Sequence, residues 1–246
     1  MPHITDSKYL VTAGWSDAPH LDDKTKRELL DATPPFLRDA RSKGIPSLGS
    51  GAIYPIPEEE ISVPYFEIPT YWPRCYGLDV GWNRTAALWA AWDPATGVCY
   101  LYAEHYRGIA EPAVHAEAIK SRGDWMTGVV DPASRSSSQR DGEKLVDLYR
   151  QLGLSLVIAD NAVDAGIYDT WAALSTGKLK VMSHLLNFFN EYRLYRRDEN
   201  GRIVKKHDHL MDVMRYIVRS GRAVAKQPGF EDTAAGLDAV DPVAGY

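Results

Sequence analysis

The sequence predicts an α/β fold: a mixed central sheet in which a three-strand antiparallel meander is followed by βα units, with helices on both faces. Three observations predict it. Residues 74–80, 85–92 and 98–106 are apolar, strand-like runs in direct succession, and Asp93-Pro94-Ala95-Thr96-Gly97 joins the last two as a hairpin turn. Beyond residue 110, helical and strand-like segments alternate. A hydrophobic content of 45% over 246 residues is ordinary for a globular chain that buries a core.

In chain order, residues 1–73 read as an N-terminal extension or linker packing on the core, 74–226 as one domain, and 227–246 as an acidic tail without stable structure. Within the extension, Asp22 or Asp23 caps a helix reaching about Asp31, Pro34-Pro35 opens a second short helix, and the stretch up to Pro73 is extended and punctuated by proline. The domain continues after the meander with a helix at 111–121, a buried strand at 126–130 and a Ser/Arg-rich loop. Then follow a helix at 140–152, a strand at 155–159, a helix at 163–174, a short strand at 178–182 and an aromatic helix at 185–192 whose Phe188, Phe189 and Tyr192 read as core. Asn200-Gly201 marks the turn of a basic hairpin. The closing helix, 207–222, buries Leu210, Val213, Met214, Ile217 and Val218, and carries Asp208, His209, Asp212, Arg215 and Arg219 elsewhere on its surface.

Several function classes are excluded. No apolar run approaches the ~18–20 residues that span a bilayer, and the N-terminus has no signal-peptide core, so no membrane partner and a cytoplasmic location are expected. Cys75 and Cys99 lack metal-ligand spacing and read as reduced, buried thiols. There is no G-x-x-x-x-G-K-[ST] phosphate loop. Net charge is −5, but between Lys178 and Lys226 twelve Lys or Arg face five Asp or Glu, a local basic surface compatible with a polyanion.

The chemistry lies in the acids. Alternation along RCYGLDVGWNRT sets Gly77, Asp79 and Gly81 on one face, so Asp79 stands on a face kept bare by glycines. Asp131 ends a second apolar strand, in phase with Val129. If the two strands are neighbours, both carboxylates emerge at one rim of the sheet, and Asp212 on the closing helix completes a cluster. Like charges raise one another's pKa, and hard cations with oxygen ligands, Mg²⁺ or Mn²⁺, relieve that repulsion. Two such ions about 3.5–4 Å apart activate a water and stabilise the leaving oxygen in phosphodiester cleavage.

The segments GLDVGWNRTAALWAAWD, VVDPAS and DHLMDVMRY resemble the three acidic motifs of the C-terminal nuclease domain of tailed-bacteriophage large terminase subunits, a domain of the RNase H-like superfamily. The spacings, 52 residues from Asp79 to Asp131 and 81 from Asp131 to Asp212, are also similar. WSDAPHLDD and GIPSLGSGAIYP resemble the segment that links motor to nuclease, so the likeness runs from about Trp15 to Gly221. The resemblance implies an RNase H-like fold and a Mg²⁺- or Mn²⁺-dependent endonuclease; the ATPase motor of the family's full-length members has no counterpart in this sequence, so translocation is not the expected activity. It implies Asp79, Asp131 and Asp212 as metal ligands, with His209 as a further ligand or an orienter of the attacking water. Asp208 reads first as the N-cap of the helix that begins at His209 and second as a ligand; Glu104, at a strand end, is an accessory ligand candidate. Double-stranded DNA is the expected partner, bound through phosphates by Arg196, Arg197, Arg202, Lys205 and Lys206 of the hairpin, and by Arg135 and Arg140 of the loop after Asp131. An ATPase motor, a small terminase subunit and a portal would be partners of the full-length protein, in the host cytoplasm. Two alternatives stay open: a non-catalytic module that binds DNA or docks on a portal, and an actin-like or sugar-kinase-like ATPase fragment, whose first phosphate loop GLDVGWNRT also resembles.

Overall fold

The structure, a computed structural model, describes residues 4–5, 8–9, 14–33, 38, 42, 51–131, 145–160, 162–198 and 200–229. Near the N-terminus β1 (Ile4–Thr5) pairs with β2 (Lys8–Tyr9). The Asp22 carboxylate then accepts the Thr25 amide at 2.6 Å and caps α1 (Asp23–Asp31). The helix expected after Pro34-Pro35 falls largely outside the described residues. Next come α2 (Glu58–Ile61) and β3 (Ser62–Val63). The meander is β4 (Arg74–Asp79), β5 (Thr85–Trp92) and β6 (Cys99–Arg107). It is followed by α3 (Pro112–Lys120), β7 (Thr127–Val130), α4 (Leu145–Gln151), β8 (Ser155–Ile158), α5 (Val163–Ser175) and β9 (Leu179–Met182). The chain closes with α6 (Leu186–Leu194) and α7 (His209–Tyr216).

Strands β3 to β9 form one seven-stranded sheet in the order β3-β9-β6-β5-β4-β7-β8. Strand β5 is antiparallel to both β4 and β6, whereas β7 joins β4, β8 joins β7, β9 joins β6 and β3 joins β9 in parallel. The expected mixed sheet with a meander at its centre is therefore present. All eight residues of β5 are buried, which is why its sequence, TAALWAAW, is apolar without alternation. Its small alanines let helices approach from both sides. Ala116 and Ile119 of α3 and Val146 and Tyr149 of α4 pack on one face with Trp89; α5, α6 and α7 cover the other.

Residues 51–73 do more than lie against this body. They supply β3 as a sheet edge and bury Ile53, Tyr54, Ile61, Ile68 and Trp72 in the larger core. Arg74, where the domain was expected to begin, is bridged to Lys226 by two backbone hydrogen bonds of 2.7 and 2.9 Å. Cys75 and Cys99 are free and buried.

The face around Asp79 is not bare, which corrects the reading of its glycines. A Cβ on Gly77 would meet Val213 Cγ1 at 2.7 Å and Ile217 Cγ1 at 2.9 Å, so the space is filled by α7 and not left open. Gly77 is thus the contact that lets the closing helix rest directly on β4. The closing helix also departs from the expected bounds and regularity: it begins at His209, passes after Tyr216 into a π-helical turn, Ile217–Gly221, and ends with a last turn at Arg222–Val224.

Replacing Gly77 by Ala should push Val213 and Ile217 off β4 and cost ~1–3 kcal/mol. The readout is a lower urea midpoint at unchanged slope; an unchanged midpoint would show that α7 does not bear on this strand.

Candidate functional site

Parallel pairing of β4 with β7 sets Leu78 opposite Val130, so Asp79 and Asp131 leave the sheet side by side at the rim where both strands end. The Asp131 amide donates to the Leu78 carbonyl at 3.3 Å, extending that register by one residue. Asp79 is in phase with Gly77 and Asp131 with Val129, and both of those residues face α7. Asp212, one turn into α7, comes from above. Burial lifts the Asp79 carboxyl above the ordinary carboxylate range, the hydrogen bond and charge of His209 pull it back, and Asp131 and Asp212 push it up again. The Asp79 carboxyl therefore lies within the field of the other two acids.

Their counter-charges are internal. His209 Nδ1 lies 2.8 Å from Asp79 Oδ2. Lys205 Nζ is 3.2 Å from both Asp208 Oδ2 and Asp212 Oδ2, and Arg215, buried beneath α5, reaches Asp212 Oδ1 at 3.0 Å. Among the described residues no three His, Cys, Asp or Glu side chains converge tightly enough to cage an ion as they stand. The donor chemistry nevertheless fits a hard divalent cation: oxygen donors come from three separate elements, and an ammonium already bridges two carboxylates where extra positive charge is needed.

This geometry has relatives. Residues 76–220 match the family described as the terminase RNaseH-like domain. The large terminase subunit of Salmonella phage P22 is 35% identical over 221 residues, covering 85% of this chain. This chain belongs to the terminase large-subunit family. It spans less than half the length of the curated relatives it matches, 46% and 44% of them. Among solved structures, the P22 large terminase nuclease domain is 32% identical with a TM-score of 0.66, over 73% of this chain and 96% of that one. The large terminase nuclease of thermophilic phage G20c with bound magnesium shares the fold at 14% identity and a TM-score of 0.52, over 70% of this chain and 98% of that one.

Within this terminase domain two expected roles are replaced. Asp208 occupies the N-cap position of α7, but its side chain makes no capping hydrogen bond; it is held by Lys205. The cap comes instead from Glu191 of α6, whose Oε2 accepts the Leu210 amide at 2.6 Å while Oε1 accepts the Tyr106 hydroxyl at 2.6 Å. Burial pushes the Glu191 carboxyl up and those two donors oppose the shift. Sequence reasoning missed Glu191; its one signal was a lone acid inside the buried aromatic run FFNEY. Glu104 is not an accessory ligand in this arrangement. Its carboxylate accepts the Asn187 amide at 3.0 Å, the Asn187 side chain at 2.8 Å and the Phe188 amide at 2.9 Å, so it caps α6.

The expected phosphate contacts divide. Arg196, Arg202 and Lys206 are exposed on the hairpin, where Arg197 pairs with Ile203 across the Asn200-Gly201 turn. Arg197 itself is spent within the chain, on Asp164 at 3.5 Å and on the Gly201 carbonyl at 2.9 Å, and Lys205 belongs to the acid cluster. Arg219 pairs with Asp169 at 2.6 Å and with Asp160, so Arg215 and Arg219 are internal partners of acids. Arg135 and Arg140 lie outside the described residues.

The Asp79 hydrogen bond holds the His209 pKa above its ordinary value, against burial. Its stabilisation is therefore full below the unfolded imidazole value, about 6.5, and is lost as pH rises through the raised folded value. An NMR titration of the metal-free protein should place His209 above that value in the wild type and lower in Asp79→Asn; equal midpoints would break the assignment. Glu191→Gln leaves one of two donors unmatched and should cost ~1–3 kcal/mol in urea unfolding; a neutral result would show that Glu191 does not hold α7.

Proposed function

We propose that this chain is the nuclease domain of a phage DNA-packaging large terminase and cleaves duplex DNA as a Mg²⁺- or Mn²⁺-dependent endonuclease with little sequence specificity. The observation that carries the reading is the parallel register that brings Asp79 of β4 and Asp131, just past β7, out side by side at the sheet rim, with Asp212 of α7 near enough to act on the Asp79 carboxyl. These three carboxylates would hold the metal, with His209 beside Asp79 as a further ligand or a group that orients water. A pair of divalent ions bound there supplies an activated water and charge stabilisation for the leaving oxygen. Asp208 stays with Lys205 at the margin of the cluster, and Glu104 and Glu191 act by positioning helices. The magnesium held by the G20c nuclease supports a divalent ion of this kind.

DNA is the substrate because exposed Arg196, Arg202 and Lys206 offer sequence-independent phosphate contacts. In a full-length protein the partners would be an ATPase motor, a small terminase subunit and a portal, acting in the host cytoplasm. The saturation of Asp212 by Lys205 and Arg215 favours a second reading, a non-catalytic DNA-binding or portal-docking module.

Incubation with supercoiled plasmid separates the two readings. The wild type should nick with Mn²⁺ or Mg²⁺ and stop with EDTA, and Asp79→Ala, Asp131→Ala and Asp212→Ala should each lose more than about a hundredfold. Absence of nicking, or nicking by Asp79→Ala at the wild-type rate, would leave the non-catalytic module.

A further inference from the structure

Of the arginines around the rim, Arg84 is spent differently from the others. Arg215 is paired with Asp212, Arg219 with Asp160 and Asp169, Arg193 with Glu58 and Arg197 with Asp164. Arg84, the last residue before β5, has no carboxylate and no hydrogen-bond partner among the described residues; its guanidinium lies over the Tyr106 ring, 4.3 Å from the centroid. Stacking fixes the plane of the fork and leaves its N–H donors uncommitted.

Those donors border a cleft of about 470 Å³ that is also lined by Tyr106, Asn187, Asn190, Arg193 and His207. Glu191 forms part of its wall, but both carboxylate oxygens are taken, by the Tyr106 hydroxyl and the Leu210 amide. The cleft therefore offers a cation, neutral amides and a histidine to an incoming anion.

The position of the cleft indicates which anion. Tyr106 pairs with Ala86, and Ala86 pairs with Asp79, so the residue whose ring carries the guanidinium stands two strands from Asp79 at the same level of the sheet. Two strand spacings are roughly 10 Å, about the axial rise of three nucleotides along one DNA strand. The loop that carries Arg84 is also fixed in place. The Ile109 amide donates to the Trp82 carbonyl at 3.0 Å, and Gly108 passes so close that a Cβ there would lie 2.1 Å from the Asn83 carbonyl oxygen. Trp82 is 62% exposed and Ile109 78%, which gives the loop pair an apolar wall beside its cation.

We infer that the Arg84–Tyr106 cleft seats a backbone phosphate of the DNA, a few nucleotides from the acid cluster. A planar, pre-oriented guanidinium matches a phosphate by two parallel hydrogen bonds, which a lysine does not reproduce. This rests on the reading of the chain as a DNA-cutting domain, but it concerns binding and is tested without cleavage.

The test is fluorescence anisotropy of a labelled duplex of about 30 base pairs, in EDTA, across a salt series. Arg84→Ala should weaken binding about five- to tenfold near 0.1 M salt and flatten the log–log salt slope by about 0.9. Arg84→Lys should keep the slope and recover part of the affinity. Asn190→Asp, at an exposed position, should weaken binding by placing an anion in the cleft, and does so without touching Arg84. Wild-type affinity and slope in both Arg84→Ala and Asn190→Asp would overturn the inference and leave the cleft to a carboxylate-bearing partner; weaker binding at an unchanged slope would overturn the phosphate contact. If Arg84→Ala loses binding while the wild type never nicks plasmid, the cleft stands and the nuclease reading falls; if the wild type nicks and Arg84→Ala binds normally, the reverse holds.

Discussion

Helix α7 reaches the rim of the sheet because Gly77 leaves a gap that Val213 and Ile217 fill, so that a helix bearing His209 and Asp212 lies directly over the strand bearing Asp79. Close packing of apolar groups therefore sets the distance between acids that would otherwise repel one another. The acids contribute nothing favourable to that approach on their own. Asp79 is largely buried with its carboxyl pushed upward and is offset by His209, while Lys205 and Arg215 neutralise Asp212; all three cations come from the closing helix or the segment leading into it. Packing brings the charges together, and cations from the same segment make the arrangement tolerable.

A second constraint fixes the helix along its axis. Glu104 of β6 takes the first amides of α6, and Glu191 of α6 takes the Leu210 amide of α7. Each carboxylate meets the positive end of a helix, where an anion is favoured. Position is thus handed from the sheet to α6 and from α6 to α7, and Tyr106 ties the second joint back to β6 through its hydroxyl. Lys205 is the exception to the phosphate-binding face expected of the hairpin. It reaches back from the hairpin's base to bridge Asp208 and Asp212, which links the basic surface to the acid cluster.

Much of this fold is legible in the sequence, and the reasons are physical. The ends of β5 are read to the residue because TAALWAAW is bounded by a polar loop and an Asp-Pro turn, and α1 is legible to within a residue because either Asp22 or Asp23 could cap it; Asp22 does. Asp79 and Asp131 are legible as neighbours because strand period and register leave one outcome once β4 and β7 pair. Local pattern fails where a residue's partner is distant in the chain. Gly77 announces an absent side chain, but not whether a ligand or a helix takes the space. Asp208 has a good cap sequence, yet Glu191, seventeen residues upstream, supplies the bond. Glu104 looks like a rim residue from sequence but is spent on a helix start, and no local pattern singles out Arg84, which is spent on an aromatic ring. Nothing in IVRSG signals a π turn, and its cause is found only in what it packs against: a Cβ on Gly221 would lie 3.0 Å from Cys75 Sγ and 3.1 Å from Trp92.

That π turn has a consequence for how fitting errors are distributed. In a mechanical assembly one surface serves as the datum from which other dimensions are measured, and misfit collects at the opposite end. The first turn of α7 is such a datum, held by Glu191 and by the Asp79–His209 contact. The far end is where the helix takes up a wider turn to seat Gly221 between Cys75 and Trp92. Slack between the helix and the sheet is therefore absorbed beyond Asp212, within about two and a half turns of it, and the end that bears the chemistry stays in register.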